Sequence, residues 1–169
     1  MHIFQPIETK DFEINVFEKI GSNLFALTTK KDGFVNAMTA GWGGLGYMWG
    51  KPVAFVVVRE SRYTLELLDQ TDVFSMCFLE KEKYKTAMRY LGAVSGRQED
   101  KIAALKLNIG YWKETPYIDE ANTVICLKKL FKSPMKPEEF LDKSLLDTWY
   151  KNRDYHNLYM AEIEQILAR

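Results

Sequence analysis

The chain has 169 residues, with 23 basic and 23 acidic side chains and a formal net charge of +0. That balance excludes the electrostatic footprint of a nucleic-acid binder, and the length suits one domain that buries its core without disulfides or metal. The longest strand-like apolar run, Val53 to Val58, is too short to span a bilayer. The opening stretch, with Glu8, Asp11, Glu13 and Glu18, holds no leader-like apolar block. A soluble cytoplasmic protein with no membrane partner is therefore expected.

Taken in chain order, Leu24 to Thr29 and Phe34 to Ala40 flank Asp32-Gly33, a hairpin signal because Gly33 can take the positive φ such a turn needs. His2 precedes all of this at a mobile N-terminus and receives no role. Gly41 to Gly50 is Gly-rich and reads as a flexible turn, or as backbone that lets a ligand approach. Val53 to Val58 reads as a strand buried on both faces, with Pro52 at its start. Ser61 carries the hydroxyl of an N-cap for a helix through about Asp69.

Val73 to Leu79 is a further strand, and Lys81 to Leu91 a helix with Tyr84, Ala87, Met88 and Leu91 on one stripe. Gly92 to Gln98 is a break, and Asp100 to Leu107 a short helix. Asn122 to Phe131 is a strand, 133–137 a loop, and Pro137 to Phe140 a helical turn. Tyr155 to Leu167 fits strand or helix. Strands joined by hairpins, with helices inserted, favour an antiparallel barrel over a βαβ sheet. Cys77 and Cys126 sit inside apolar runs as core residues, and without a Cys-x-x-Cys no metal site is expected.

Gly41-Trp42-Gly43-Gly44-Leu45-Gly46 matches the Gly-x-Gly-x-x-Gly of dinucleotide folds. The fingerprint needs a helix to open at that point, and Tyr47 to Pro52 cannot start one, so the match is rejected. Three other segments carry chemistry. Arg59-Glu60-Ser61-Arg62-Tyr63-Thr64 brings two guanidiniums and two hydroxyls to a helix start, where an anion is favoured; the plain reading is a cap with two solvated arginines. Ser95-Gly96-Arg97, followed by Lys101 near the next helix start, is a polar loop or a second arm around that anion. A cation at a helix start opposes the dipole unless an anion is present. Asn36-Ala37-Met38-Thr39-Ala40-Gly41-Trp42 alternates small or polar residues with bulkier ones, as the amide-like edge and flat face of a heterocycle require, or as any weakly patterned strand does.

Together these segments resemble the flavin reductase-like family of FMN-binding split barrels, which includes flavoredoxin. The resemblance rests on Asn36 to Trp42, Trp49-Gly-Lys-Pro52, Val57 to Thr64, Ser95 to Lys101 and His156, and runs from about Asn23 to the C-terminus. It implies a mainly β fold, a six-stranded antiparallel Greek-key split barrel with peripheral helices, as one domain over residues 1–169. It implies FMN as cofactor, NADH or NADPH as electron donor, and a homodimer with flavin near the subunit interface. By position, Arg59, Ser61, Arg62, Tyr63, Thr64 and Lys101 would hold the phosphate end. Asn36, Ala37, Met38 and Thr39 would line the isoalloxazine, with Trp42 and His156 beside it, and Ser95, Gly96 and Arg97 would close the pocket. Glu60 stands where the family often has Pro, and Asp154-Tyr155-His156 where Gly-Asp-His is common.

The implied activity is that of an NAD(P)H-dependent flavin reductase or oxidoreductase, with no catalytic acid or base assigned. One alternative is a flavoredoxin-like electron carrier reduced by a redox protein partner. Another is a barrel that has lost flavin and serves as a binding module.

Overall fold

The structure is a computed structural model describing residues 1–169. A short strand β1 (Gln5–Ile7) leads through helical turns to β2 (Phe25–Lys31) and β3 (Phe34–Ala40). Asp32 and Gly33 have φ of 50° and 82°, so the two-residue turn that joins Lys31 to Phe34 is the expected one. The same device recurs at Trp49 and Gly50, with φ of 54° and 71°. It joins β4 (Gly43–Met48) to β5 (Lys51–Arg59).

The Gly-rich segment is thus a strand rather than a flexible turn. A Cβ on Gly43 would strike the Phe55 carbonyl oxygen, and one on Gly44 the Phe55 ring, so glycine lets β4 press against β5. β5 is fully covered on one face and only partly on the other. Val53, Ala54, Val56 and Val58 are buried, while Phe55 is 37 % exposed and Val57 half-buried. The expectation of burial on both faces holds at Val53 and fails at Phe55.

Helix α1 (Tyr63–Leu68) starts from Arg62, and β6 (Val73–Phe78) follows. α2 (Lys85–Ala93) starts one turn later than its apolar stripe suggests, and α3 (Lys101–Ala104) is capped by Asp100, whose carboxylate accepts from the Ala103 N–H at 3.1 Å. A hairpin that the sequence pattern did not mark, β7 (Ile109–Trp112) with β8 (Thr115–Ile118), comes next. β9 (Thr123–Pro134) runs past Phe131 through the expected loop. After α4 (Ser144–Trp149), the ambiguous C-terminal stretch is a strand, β10 (His156–Ala168).

The main sheet is antiparallel, with eight strands in the order β3-β2-β6-β9-β10-β5-β4 and β1 also on β10. Its ends, β3 and β4, do not pair, which makes the barrel a split one. The count exceeds the expected six because β1 and β4 carry no alternating apolar pattern. β10 holds the barrel together. One edge pairs with β9 throughout, and the other pairs first with β5 and then with β1. Register shifts after Met160 and after Ile163 bend it, as bulges do.

β2, β6 and the first half of β9, through Leu127, are buried on both faces. Phe25, Leu27, Phe74, Met76, Ile125 and Leu127 fill the barrel. Ala26, Cys77, Val124 and Cys126 pack outward beneath α2 and α3, so both cysteines are core residues as expected. The N-terminus is tied down rather than loose: the His2 N–H donates to the Asp119 carboxylate at 2.9 Å, and His2 Nδ1 lies 2.9 Å from the same oxygen.

Gly43, at φ 155°, tests how closely β4 must approach β5. Gly43→Ala is expected to cost about 1–3 kcal/mol through backbone strain and the clash. That corresponds to a thermal midpoint lowered by roughly 3–10 °C. Gly46→Ala, with no atom near the added Cβ, should shift it by less than a quarter of that. Equal melting of the two variants by circular dichroism would contradict the packing account.

Candidate functional site

A pocket of about 120 Å³ lies where α1 begins, lined by Met38, Ser61, Arg62, Tyr63, Thr64, 93–96 and Lys101. Three ties hold its walls. Asn36, 2 % exposed, donates from Nδ2 to Thr64 Oγ1 at 2.9 Å. Arg62 donates from Nη1 to the Gly92 carbonyl at 2.6 Å, and Lys101 from Nζ to the Leu91 carbonyl at 2.9 Å. Gly96 must be glycine because a Cβ there would run into Asn36 Oδ1.

The electrostatics of this pocket are one-sided. Lys101 is 4 % exposed, and no carboxylate lines the pocket. Burial first, and then the charge of Arg62, lower its pKa from 10.5 to about 8. An ammonium has three donors, and Lys101 uses one of them on the protein. Two cations with spare donors and no acid between them are the complement of a compact anion such as a phosphate.

Linked to it through the consecutive residues Met38 and Thr39, a second pocket of about 290 Å³ is lined by Gly21, Leu24, Thr39, Gly41, Trp42, Val57, Arg59 and His156. Its wall is aromatic. The Trp42 ring lies 4.9 Å from His156 and meets Trp149 edge-on at 5.0 Å. His156 is buried, and its Nδ1 lies 2.7 Å from the Tyr150 hydroxyl. Burial, followed by the nearby Arg59 charge, pushes its pKa down to about 4. It is uncharged at neutral pH and presents a flat, neutral face. Apolar walls with a few polar edges suit a flat heterocycle.

The structure therefore brings Met38, Ser61, Arg62, Tyr63, Thr64, Ser95, Gly96 and Lys101 to one pocket, and Thr39, Trp42 and His156 to its neighbour. Four expected residues are placed otherwise. Ala37 is fully buried in the outer core and lines neither pocket. Asn36 acts through Thr64. Arg59 leaves the anion pocket because its guanidinium donates to the Asp154 and Trp149 carbonyls at 2.7 and 3.2 Å and lies over the Tyr150 ring. Arg97 points away, paired with Glu66 and over the Tyr63 ring.

Ser61 is not the cap expected of it. Its N–H and hydroxyl both donate to Asp154, at 3.0 and 2.7 Å, although it still borders the pocket. Asp154, Trp149 and Tyr150 went unnoticed as site residues, since nothing in their local sequence announces a contact with β5.

The sequence profile described as the flavin reductase like domain matches residues 17–133, so the chain belongs to the flavin reductase-like family. Among solved structures, flavoredoxin from Methanosarcina acetivorans is 21% identical with a TM-score of 0.68, over 96% of this chain and 76% of that one. An FMN-binding domain of a flavin reductases-like enzyme from Shewanella baltica is 15% identical with a TM-score of 0.68, over 98% and 77%. An NADH:FAD oxidoreductase from Streptomyces globisporus is 15% identical with a TM-score of 0.65, over 87% and 75%. These likenesses establish the shared split-barrel fold. Among curated proteins, none matches the chain.

Lys101 makes the anion pocket a source of instability in the free protein. The unfolded chain keeps this proton up to about 10.5, whereas the folded chain releases it near 8. Between those values the unfolded state binds more protons, so the destabilisation by Lys101 is full below pH 8 and fades as pH rises. Lys101→Met should raise the melting midpoint near pH 7 by roughly 2–4 °C, the scale of one kcal/mol in a chain of this size. The gain should shrink as pH rises from 8 to 10.5. A variant that melts below the parent near pH 7 would contradict the assignment of a strained, unpaired ammonium.

Proposed function

We propose that the protein is an FMN-binding, NAD(P)H-dependent flavin reductase or oxidoreductase. The observation that carries this reading is the acid-free pocket of Lys101 and Arg62, which adjoins an aromatic pocket at Met38–Thr39. Arg62 and Lys101 hold the phosphate with their spare donors, helped by the Thr64 hydroxyl and the backbone at Ser95 and Gly96, while Ser61, whose donors are held by Asp154, borders the pocket. Thr39 borders the ring and Met38 the passage from phosphate to ring, Trp42 and His156 wall the ring off from water, and Asn36 fixes Thr64 in place. FMN, when bound, accepts two electrons and two protons, one proton coming with the electrons from the nicotinamide and one from solvent. Because His156 is neutral near pH 7 and half-ionises only at about 4, it orients rather than supplies a proton.

A homodimer belongs to the same proposal. Phe55 and Phe131, each the register partner of Met160, share one side of the sheet and are exposed there, with exposed Met48 and Trp49 at the β4–β5 end. Trp49 and Phe131 lie 6.4 Å apart. Exposed aromatics gathered in one patch mark an association surface, and a second copy is the proposed occupant. Two free, buried cysteines and no disulfide fit a cytoplasmic home.

The alternative is a flavoredoxin-like carrier, reduced by a redox protein rather than by a nucleotide. Oxidation of NADH or NADPH with excess FMN separates the two. Turnover supports the enzyme, and a flavin-loaded protein that neither nucleotide reduces supports the carrier.

Arg62→Ala tests the phosphate end. A hydrogen bond to a charged group contributes about 1.5–3 kcal/mol, so FMN should bind roughly 10- to 150-fold more weakly. Riboflavin, which lacks the phosphate, should bind parent and variant alike in a fluorescence-quenching titration. Equal losses for both ligands would remove Arg62 from the phosphate site.

A further inference from the structure

A third pocket, of about 380 Å³, opens on the other side of Thr39. It shares Leu24 and Thr39 with the aromatic pocket, so a ligand in one touches the same wall as a ligand in the other. Its floor is apolar, made by Leu24, Leu79 and Met88. Its rim carries Lys81, Lys85 and Arg89, and no acid lines it.

These three cations are spaced four residues apart. The Tyr84 N–H bonds to the Glu80 carbonyl and the Met88 N–H to that of Tyr84, which carries the helical spacing of α2 back toward Lys81. Over eight residues the rise is about 12 Å. Like charges at this spacing weaken a helix, and all three are exposed on the rim with no carboxylate in ion-pair contact. Lys30, Lys51, Lys132 and Arg97 each pair with a carboxylate. Lys81, Lys85 and Arg89 pair with none, although Glu80 and Glu82 flank Lys81 in the sequence.

A row of that length exceeds a single phosphate and suits two separate anionic groups. The volume is that of a small-molecule pocket rather than a protein-docking face, and the apolar floor suits a nucleobase or sugar. We propose that the Lys81–Lys85–Arg89 pocket receives the phosphates of the nicotinamide dinucleotide, and that it makes NADPH the preferred donor over NADH. This rests on the flavin reductase reading. The shared Thr39–Leu24 wall would set the donor against the flavin, and the extra 2′-phosphate would meet cations that NADH leaves unused.

The test uses the FMN-loaded protein, the double variant Lys85→Gln/Arg89→Gln and adenosine 2′,5′-bisphosphate as a redox-silent probe. Calorimetry should show the bisphosphate binding to the parent and at least about tenfold more weakly to the variant, as for lost charge-assisted bonds. Its affinity should also fall with added salt. In turnover, kcat/KM for NADPH should exceed that for NADH by about tenfold or more in the parent, with the variant losing most of that margin through KM.

No bisphosphate binding, or equal binding to both proteins, would overturn the proposal. So would a loss of retained FMN as large as the loss of bisphosphate, since the cations would then belong to the flavin. If neither nucleotide is turned over, the reductase reading fails, and the calorimetric titration still decides whether the basic pocket recognises a phosphorylated nucleotide.

Discussion

A desolvated ammonium beside a guanidinium, with no carboxylate in reach, is the constraint around which this end of the barrel is organised. Lys101 stands in the first turn of α3, where the backbone N–H groups already disfavour a cation. It is buried and faces Arg62, and each of these choices costs stability in the free protein. The surroundings hold the arrangement in place through Asn36 on Thr64, Arg62 on the Gly92 carbonyl and Lys101 on the Leu91 carbonyl. These bonds join β3, α1, α2 and α3 into one frame. A ligand phosphate is the natural counter-charge, which is why the same feature reads as a liability without ligand and a site with it.

The aromatic pocket depends on a different corner, where β5 ends and β10 begins. His156 is the register partner of Arg59, and the Glu60 N–H reaches the Tyr155 carbonyl at 2.9 Å. Asp154 accepts from both donors of Ser61, and the Arg59 guanidinium donates to the Asp154 carbonyl and to that of Trp149 at the end of α4. Residues far apart in sequence thus fix the entry to α1. The consequence is a division of labour between neighbouring arginines, with Arg59 holding the chain and Arg62 left facing the anion pocket.

What the sequence made legible were features whose cause is local. Asp32-Gly33 specified its turn because two successive positive φ values suit few other pairs. Lys101 was visible as a cation in a poor place. Arg59 and Arg97 turn away from the anion pocket, and Ser61 gives up its capping role, because their partners, Asp154 and Glu66, come from other elements, and nothing within the motif distinguishes a guanidinium that binds a ligand from one that binds a carbonyl. β4 was missed for a related reason: its glycines serve close packing against Phe55, and they remove the alternating apolar signal that identifies a strand. The anchoring of His2 on Asp119 joins the two ends of a long stretch of chain and had no local signature at all.

The most direct test of the central claim is proton uptake on flavin binding, measured by calorimetry at pH 8 in buffers of different ionisation enthalpy. Lys101, with a pKa of about 8, is half deprotonated there in the free protein. A phosphate dianion beside it would restore its charge, so FMN binding should take up about half a proton and riboflavin binding almost none. If FMN bound without proton uptake, or riboflavin took up as much, the Lys101–Arg62 pocket would not be where the phosphate resides.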